Sequence, residues 1–384
     1  MSIKSTTRYL AIFFILMAVI YAANFSSLDS AKHFIQEDKH LKAIPILCSL
    51  IEQDSAQFEY YYLLGNCYQS LYAYNKACHY FRKGLEIAPE NIKCHMALGN
   101  CYAEIKLYKQ ATEQYISALR FNKNHNSAKL KLGQVHLEQD NYFKAGEIFR
   151  TLLDIPELKN IALVKLGLCY FKMGKYTDAI KYLKEAYLNE PDNYQVLYLL
   201  IRTYYKSGNY KYALKLTNMG LKEYPAQTFL LHSKATILFN LKMFKEAIPV
   251  YNRLIDIKSR PDFKDYQKLG ICYYYENKLK LADLKLKESY KRDSSQSLTS
   301  YYLGVTNLEL NNLAIADRYL NRTLDLSTPS FLGEIYFHLA SLDVRQKSFR
   351  PAINNYKAAL KYSSDKPEIY YYIASIYDKH LVKK

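Results

Sequence analysis

The sequence predicts an all-α protein made of repeated helix–turn–helix units, and three observations carry that prediction. First, an alanine recurs ten times at an almost constant interval of about 34 residues, from Ala43 to Ala352. Second, a Leu-Gly-x-x-Tyr motif begins at Leu64 and recurs one interval later at Leu98. Third, the chain of 384 residues contains only 12 Gly and 10 Pro, which argues for helices with short turns and against an all-β fold. A fixed period of this length is the signature of a repeat protein.

Composition excludes two classes of protein. Apolar residues make up 49% of the chain and charged residues 23%, values that are typical of a folded soluble protein. They exclude a mainly disordered chain and a bundle of membrane-spanning helices. The formal net charge of +17 raises the question of an anionic partner, but composition does not say which kind.

The first 23 residues form a segment of their own. Lys4 and Arg8 precede an apolar run over 9–23 that ends in two alanines. A basic start, a short apolar run and small residues are typical of a secretory signal peptide. An uncleaved N-terminal anchor is the alternative, although these 15 apolar residues would span only about 22 Å of a hydrocarbon core about 30 Å thick. In both cases we expect the folded part to be exported, as a periplasmic or extracellular-facing protein.

The repeat divides the rest of the chain into ten windows and a remainder. The windows begin at residues 24, 58, 92, 126, 160, 194, 228, 263, 297 and 333, and 367–384 is a half repeat or capping helix. Each window holds two helical patterns separated by a short turn. We expect Gly174 and Gly208 to end first helices in a left-handed conformation.

Small residues at the eighth and twentieth positions of a window let its two helices approach closely. A large apolar or aromatic residue stands four positions after nearly every alanine and fills the space around that contact. The predicted structural positions are Gly65, Ala77, Gly99, Ala111, Gly133, Ala145, Gly167, Ala179, Ala213, Ala247, Gly270, Ala282, Gly304, Ala316 and Ala352.

These columns resemble the tetratricopeptide repeat, a helix–turn–helix unit of about 34 residues. The resemblance covers residues 24–384, although the family's tryptophan at the fourth position is absent and residues such as Tyr61 and His95 stand there. It implies a right-handed superhelical α-solenoid whose first helices line an inner, concave groove. In the family that groove is built chiefly from positions 2, 5, 6, 9, 12 and 13 of each window.

Those positions supply the candidate groove residues. They are Tyr62, Asn66, Asn100, Lys131, Tyr198, Arg202, Tyr205, Lys206, Lys264, Lys268, Tyr274 and Tyr301. Asn66 and Asn100 stand at the ninth position, where some family members use asparagine to hold a peptide backbone or a C-terminal carboxylate. The lysine that accompanies this clamp in the family is not in register, because position five holds Tyr62 and Met96.

The positive charge is concentrated in the second half of the chain. Residues 24–193 contain 21 Lys and Arg against 19 Asp and Glu, whereas residues 194–384 contain 30 against 17. We therefore predict that 194–384 binds an acidic, extended segment. The alternative is that many of these lysines are solvated positions on second helices, such as Lys215 and Lys245, and that most of the tyrosines are packing residues.

No catalytic, metal or cofactor site is expected from the sequence. Cys67, Cys101, Cys169 and Cys272 share the tenth position and are predicted to be small buried residues, while one disulfide among Cys48, Cys78 and Cys94 stays open. The nine histidines have no metal-ligand spacing, and the chain has neither a phosphate-binding loop motif nor a nucleophile elbow. We expect no small-molecule substrate.

The leading functional hypothesis is a non-enzymatic scaffold that binds a protein or peptide segment along its concave face, outside the cytoplasm. The alternative is an envelope or membrane-surface assembly protein whose basic half contacts anionic lipid or polysaccharide. The basic half and its tyrosines would also suit nucleic acid, but the export signal argues against that partner.

Overall fold

The computed structural model describes residues 27–326, 331–363 and 366–381. All regular secondary structure in these ranges is helical, so the all-α prediction is confirmed. The predicted signal or anchor segment, 1–23, lies outside the described residues. Within the described part of the chain, no helix is both long and apolar enough to cross a membrane.

First and second helices alternate along the chain, and the turn inside each pair is three residues long. The first helices are α1 (27–36), α3 (Phe58–Ser70), α5 (Ile92–Glu104), α7 (Asn126–Glu138), α9 (Pro156–Lys172), α11 (Tyr194–Lys206), α13 (Thr228–Asn240), α15 (Phe263–Tyr275), α17 (Ser297–Glu309) and α19 (Leu332–Arg345). The second helices are α2 (His40–Gln53), α4 (Tyr74–Ile87), α6 (Tyr108–Phe121), α8 (Tyr142–Arg150), α10 (Tyr176–Asn189), α12 (Tyr210–Glu223), α14 (Phe244–Ile257), α16 (Leu279–Arg292), α18 (Leu313–Leu326) and α20 (Phe349–Tyr362). After them, α21 (Glu368–Ile376) continues into a π-helical turn, Tyr377–Leu381.

The turns inside the pairs share one backbone conformation. The middle residue of each has a positive φ, which is +75° at Gly174 and +78° at Gly208, as expected for these two glycines. Eight pairs place another residue there, including Tyr72 and Lys242 with φ of 57° and 59°. This left-handed residue reverses the chain and lets later amides bond to the last carbonyls of the first helix, as Ala73 N–H does to Tyr68 O at 2.9 Å.

The small residues of the two columns lie where the helices of a pair touch. All ten alanines, Ala43 included, are fully buried. A Cβ atom added to Gly65 would lie 2.5 Å from the Phe81 ring, and one added to Gly99 would lie 2.7 Å from the Tyr115 ring. In the windows that have this glycine, the large residue four positions after the alanine therefore fills the space that the missing side chain of the glycine leaves in the facing helix.

Helix α9 departs from the regular spacing. It begins at Pro156, four residues before the window start at 160, and α8 ends early at Arg150. Proline is suited to the first turn of a helix because it has no N–H group to leave unpaired. The fully buried Leu152 anchors the connection between the two helices.

The described residues divide into two compact units, one that ends at Leu199 and one that begins at Leu200. Within each unit, helices pack against their neighbours in sequence, and each pair packs against the next. The core of the first unit includes Phe81, Tyr115 and Phe149, and that of the second includes Tyr251 and Leu286.

Candidate binding surfaces

The first unit contains a groove lined mainly by its first helices. Three adjoining depressions of about 340, 540 and 230 Å³ lie along α3, α5, α7 and α9. The first two depressions share Gln69 and Asn100, and the second and third share Gln134, Glu138 and Lys165. The three depressions therefore adjoin one another in a row, here called the first-unit groove.

The groove contains four of the predicted groove residues. Tyr62 and Asn66 line its first depression, Asn100 lines the first and second, and Lys131 lines the second. Sequence reasoning missed Gln69, Gln134 and Glu138, which line the same groove from positions 12, 9 and 13 of their windows. Those positions belong to the family's groove set, so the columns alone could have identified them.

The amide of Asn100 is held in one orientation by a buried tyrosine. Tyr115 is 1% exposed and donates its hydroxyl hydrogen to Asn100 Oδ1 at 2.8 Å. Burial raises the pKa of Tyr115, so its hydroxyl stays protonated and remains a donor. This bond fixes which end of the amide is the oxygen, so Asn100 Nδ2 is the end that can donate to a carbonyl or carboxylate in the groove.

The charges in the groove are mixed in sign. Lys131 and Lys165 are half-buried in the middle depression, and Glu104 and Glu138 line the same depression from exposed positions. Among the described residues none of these four forms an ion pair. The groove therefore offers cations, carboxylates and amides side by side, which suits a polar extended chain better than a strongly acidic one.

Aromatic side chains pack together on the first helices of the second unit. Tyr301 contacts the rings of Tyr302, Phe331 and His338 at centroid distances of 5.3, 4.9 and 5.6 Å. Tyr274 contacts the Tyr302 ring at 5.5 Å. Burial raises the pKa of both Tyr274 and Tyr301. These two predicted groove residues therefore serve as packing between helices, which is the alternative that the sequence left open for most tyrosines.

Two predicted groove residues of the second unit, Tyr205 and Lys268, are partly buried and contact neighbouring side chains. Tyr205 accepts a hydrogen bond from Asn240 Nδ2 at 2.7 Å. Lys268 lies with its ammonium 5.8 Å from the centre of the Phe239 ring, and burial lowers its pKa. The ammonium of Lys268 also donates a long bond of 3.5 Å to Thr236.

The other predicted residues of the basic set are more accessible. Arg202 and Lys206 on α11 and Lys264 on α15 are exposed, and Tyr198 is half-buried. These three cations are therefore accessible from solvent, in contrast to Lys268.

The second unit contains a buried charge cluster that the sequence did not predict. Asp265 is fully buried, and its carboxylate lies 2.5 Å from Lys258 Nζ and 3.4 Å from His232 Nδ1. Burial alone would raise its pKa, but the charges of His232 and Lys258 and the hydrogen bond from Lys258 outweigh burial and hold the pKa of Asp265 below its usual value. The cluster fastens the connection between α14 and α15 and is structural.

The cysteines and histidines do not assemble a reactive site in the described residues. All seven cysteines are free thiols, and six of them are buried. Burial raises the pKa of Cys67 to about 11 and that of Cys169 to about 12, so these thiols stay protonated. His95 is bonded to Pro89 O and Gln114 Oε1, both at 2.8 Å. No group of three potential metal ligands occurs in the part of the chain that the structure describes.

Comparison with family models finds repeats along the chain. Models described as tetratricopeptide repeat match residues 58–91, 170–234 and 230–261. A model described as anaphase-promoting complex, cyclosome, subunit 3 matches residues 113–186. A search of curated proteins finds no match.

Several solved structures are similar to this chain at low sequence identity. The C-terminal part of a tetratricopeptide repeat protein from Cytophaga hutchinsonii is 16% identical over 63% of this chain and 98% of that part, with a TM-score of 0.51. YrrB, described as a tetratricopeptide repeat protein with an unusual peptide-binding site, is 21% identical over 49% of this chain and 97% of its own, with a TM-score of 0.43. PilF of Pseudomonas aeruginosa is 18% identical over 56% of this chain and 98% of its own, with a TM-score of 0.45.

Proposed function

Because the chain is a tetratricopeptide repeat protein, we propose that it is a non-enzymatic scaffold that binds an extended protein segment in the first-unit groove. Proteins of this family generally bind protein or peptide partners and are generally not enzymes. The observation that carries the proposal is the row of three adjoining depressions, which share lining residues along α3, α5, α7 and α9.

The size of the groove favours a segment of several residues over a small molecule. Its walls come from helices in four successive pairs, and neighbouring packed helices lie about 8–10 Å apart. A groove on the order of 30 Å long matches about nine residues of extended chain at roughly 3.3 Å each. Small-molecule sites are usually enclosed and mostly apolar, whereas this groove is open and lined by amides and charged groups.

The chemistry of the lining residues indicates what kind of protein segment the groove would bind. Asn100 Nδ2 is directed by Tyr115 to donate, which suits a main-chain carbonyl of the bound segment. Lys131 and Lys165 suit acidic side chains, and Glu104 and Glu138 suit basic or hydroxyl side chains. The proposed ligand is an extended, polar segment that carries both charges.

Peptide selection on the immobilised protein tests the proposal. Peptides selected for binding from a random library should lose affinity by about tenfold or more for Asn100→Ala, which removes the directed amide. Gln110→Ala, at an exposed position on second helix α6, is the control and should leave affinity unchanged. Selected peptides that bind the two variants equally well would show that the groove is not the binding site.

The predicted acidic ligand of 194–384 stays a prediction with its own test. Charge reversal at the exposed residues Arg202, Lys206 and Lys264 should weaken capture of an acidic peptide at low salt. Lys268 is less suitable for substitution because its side chain is packed against Phe239. Unchanged capture by the triple variant would refute this ligand.

The scaffold is proposed to work outside the cytoplasm. The support is the basic start and the apolar run of the first 23 residues. Cell fractionation combined with N-terminal sequencing tests location and cleavage together. Recovery of the uncleaved chain in the cytoplasm would refute an exported location.

A further inference from the structure

Four second helices of the second unit begin with a cation at their second position. These residues are Lys211 of α12, Lys245 of α14, Lys280 of α16 and Arg350 of α20. All four are exposed, and none forms an ion pair within the described residues. The same position in the first unit holds Leu41, Asn75, Lys109, Phe143 and Thr177, so only one of the five is a cation.

Four more exposed cations flank the same turns. They are Lys206 at the end of α11, Lys242 and Lys347 at the left-handed position of their turns, and Lys278 immediately before α16. Within the described ranges these also lack ion-pair partners. The acidic residues near these turns are fewer: Glu246, Glu276, Glu309 and Asp343, of which Glu309 pairs with Arg345 at 3.2 Å.

The turns that carry these cations lie along one edge of the second unit. First helix α15 contacts α17, and α17 contacts α19, so successive pairs stack with the same orientation. Turns inside the pairs therefore follow one another at the helix packing distance of about 10 Å. The opposite ends of helices of 13 or 14 residues are about 20 Å away. We call this row of turns, with its eight cations, the cationic edge.

Helix stability does not explain the cations of the cationic edge. The N-terminal end of a helix carries a partial positive charge, so a Lys or Arg in the first turn costs about 0.3–1 kcal/mol where an acidic residue would stabilise. Four of the five second helices of this unit nevertheless place a cation at their second residue. A requirement other than folding is the simplest reason for this pattern.

Apolar side chains are exposed between the cations. Tyr212 follows Lys211 and is 62% exposed, Met243 follows Lys242 and is 37% exposed, and Leu281 follows Lys280 and is 42% exposed. A soluble polyanion would gain nothing from contact with these apolar groups. The boundary between lipid headgroups and acyl chains accepts both kinds of side chain, since lysine can keep its ammonium among the phosphates while apolar groups insert.

We propose that the cationic edge docks the second unit on an anionic lipid surface. Its lysines and arginine would contact headgroup phosphates, and Tyr212, Met243 and Leu281 would enter the interface. This docking uses residues of the second unit alone and does not depend on what the first-unit groove binds.

Vesicle binding of the full chain as the cell produces it tests the proposal. The probes are pure phosphatidylcholine vesicles and phosphatidylcholine vesicles that also contain a minority of phosphatidylglycerol, and the readout is co-sedimentation at two salt concentrations. Any contribution of the apolar run 9–23 is common to all variants. Binding should require the anionic lipid and should weaken as salt rises.

Two matched triple variants test whether the cationic edge is the part of the protein that binds the vesicles. Lys211→Gln, Lys245→Gln and Lys280→Gln on the cationic edge should lower affinity for anionic vesicles on the order of a hundredfold, at roughly 1 kcal/mol for each lysine. The control is Lys222→Gln, Lys291→Gln and Lys361→Gln, which removes the same charge from exposed last turns of α12, α16 and α20. The control should retain nearly all binding.

Thermal unfolding checks that the edge variant is folded. Its unfolding midpoint should be unchanged or higher than that of the wild type, because the variant removes cations from helix N-termini. Equal losses in the two triple variants would overturn the proposal, since total charge would then explain binding. Binding to dextran sulfate without binding to anionic vesicles would also overturn it and would point to a soluble polyanion.

Discussion

The two units are built on the same helix pair but present different surfaces. Both bury an alanine in each second helix and reverse each pair through a left-handed residue. The first unit has nearly balanced charges and an open polar groove, whereas residues 194–384 carry 30 Lys and Arg against 17 Asp and Glu. On the second unit, aromatic residues such as Tyr274 and Tyr302 pack against one another between first helices α15 and α17. The packing positions therefore determine the fold without determining the surface, which can diverge within one chain.

The largest expected loss of stability follows from removing the buried carboxylate of Asp265, which lies in the second unit. Asp265→Asn should lower the free energy of unfolding by about 3 kcal/mol, because it removes the charge that compensates Lys258. Urea unfolding followed by circular dichroism measures the change. Asp262→Asn, which alters an exposed acidic residue at the start of the same helix, is the control and should change stability by less than about 1 kcal/mol, because asparagine caps a helix about as well as aspartate does.

The same carboxylate gives the second unit a specific acid sensitivity. Because the folded pKa of Asp265 is held below its unfolded value, its contribution to stability is complete above about pH 5 and is lost as pH falls through the folded pKa. Stability of the wild type should therefore fall more steeply below about pH 4 than that of Asp265→Asn. Parallel pH profiles for the two proteins would contradict the assignment of the lowered pKa.

A further prediction tests whether the units share one packing arrangement. Gly99→Ala in the first unit and Gly270→Ala in the second should each cost about 1–3 kcal/mol, because the new Cβ would lie 2.7 Å from the Tyr115 ring and 2.6 Å from Leu286 Cγ. Gly146→Ala is the control, since its nearest neighbours lie 3.9 Å away, and it should be neutral or stabilising. A large loss in only one of the two units would break the equivalence.

The smallest expected effect concerns the turns. Gly174→Ala and Gly208→Ala should each lose about 1 kcal/mol, because both residues have positive φ. Tyr72→Gly should gain up to about 1 kcal/mol, because a side chain is unfavourable at that φ of 57°. The thermal unfolding midpoints of the three variants measure these changes. A higher midpoint for Gly174→Ala than for the wild type would contradict the role of the left-handed turn residue.

The period accounts for most of what could be predicted from sequence. Helix pairing, the buried alanines and the left-handed turns follow from interactions between residues of the same window, which repeat in every window. The column at position nine also led to Asn66 and Asn100, both of which line the groove.

What the sequence could not provide depends on contacts between windows. Gln267 bonds to Thr299 in the next window at 2.7 Å, and Tyr205 bonds to Asn240 in the same way. The same applies to Tyr274 and Tyr301, whose position in the repeat suggested a groove and whose neighbours make them packing residues. Whether a side chain at an inner position faces a partner or fills a gap depends on the residues of the next pair.

Photo-crosslinking in cells gives the most direct test of the difference between the two units. A photo-reactive residue at Gln134, which lines two depressions of the first-unit groove, should crosslink a protein segment, and Asn100→Ala in the same chain should abolish that crosslink. The same reagent at Gln110, exposed on second helix α6, should not capture that segment. A crosslink of equal yield from both positions, unaffected by Asn100→Ala, would contradict the proposal that the groove holds the partner.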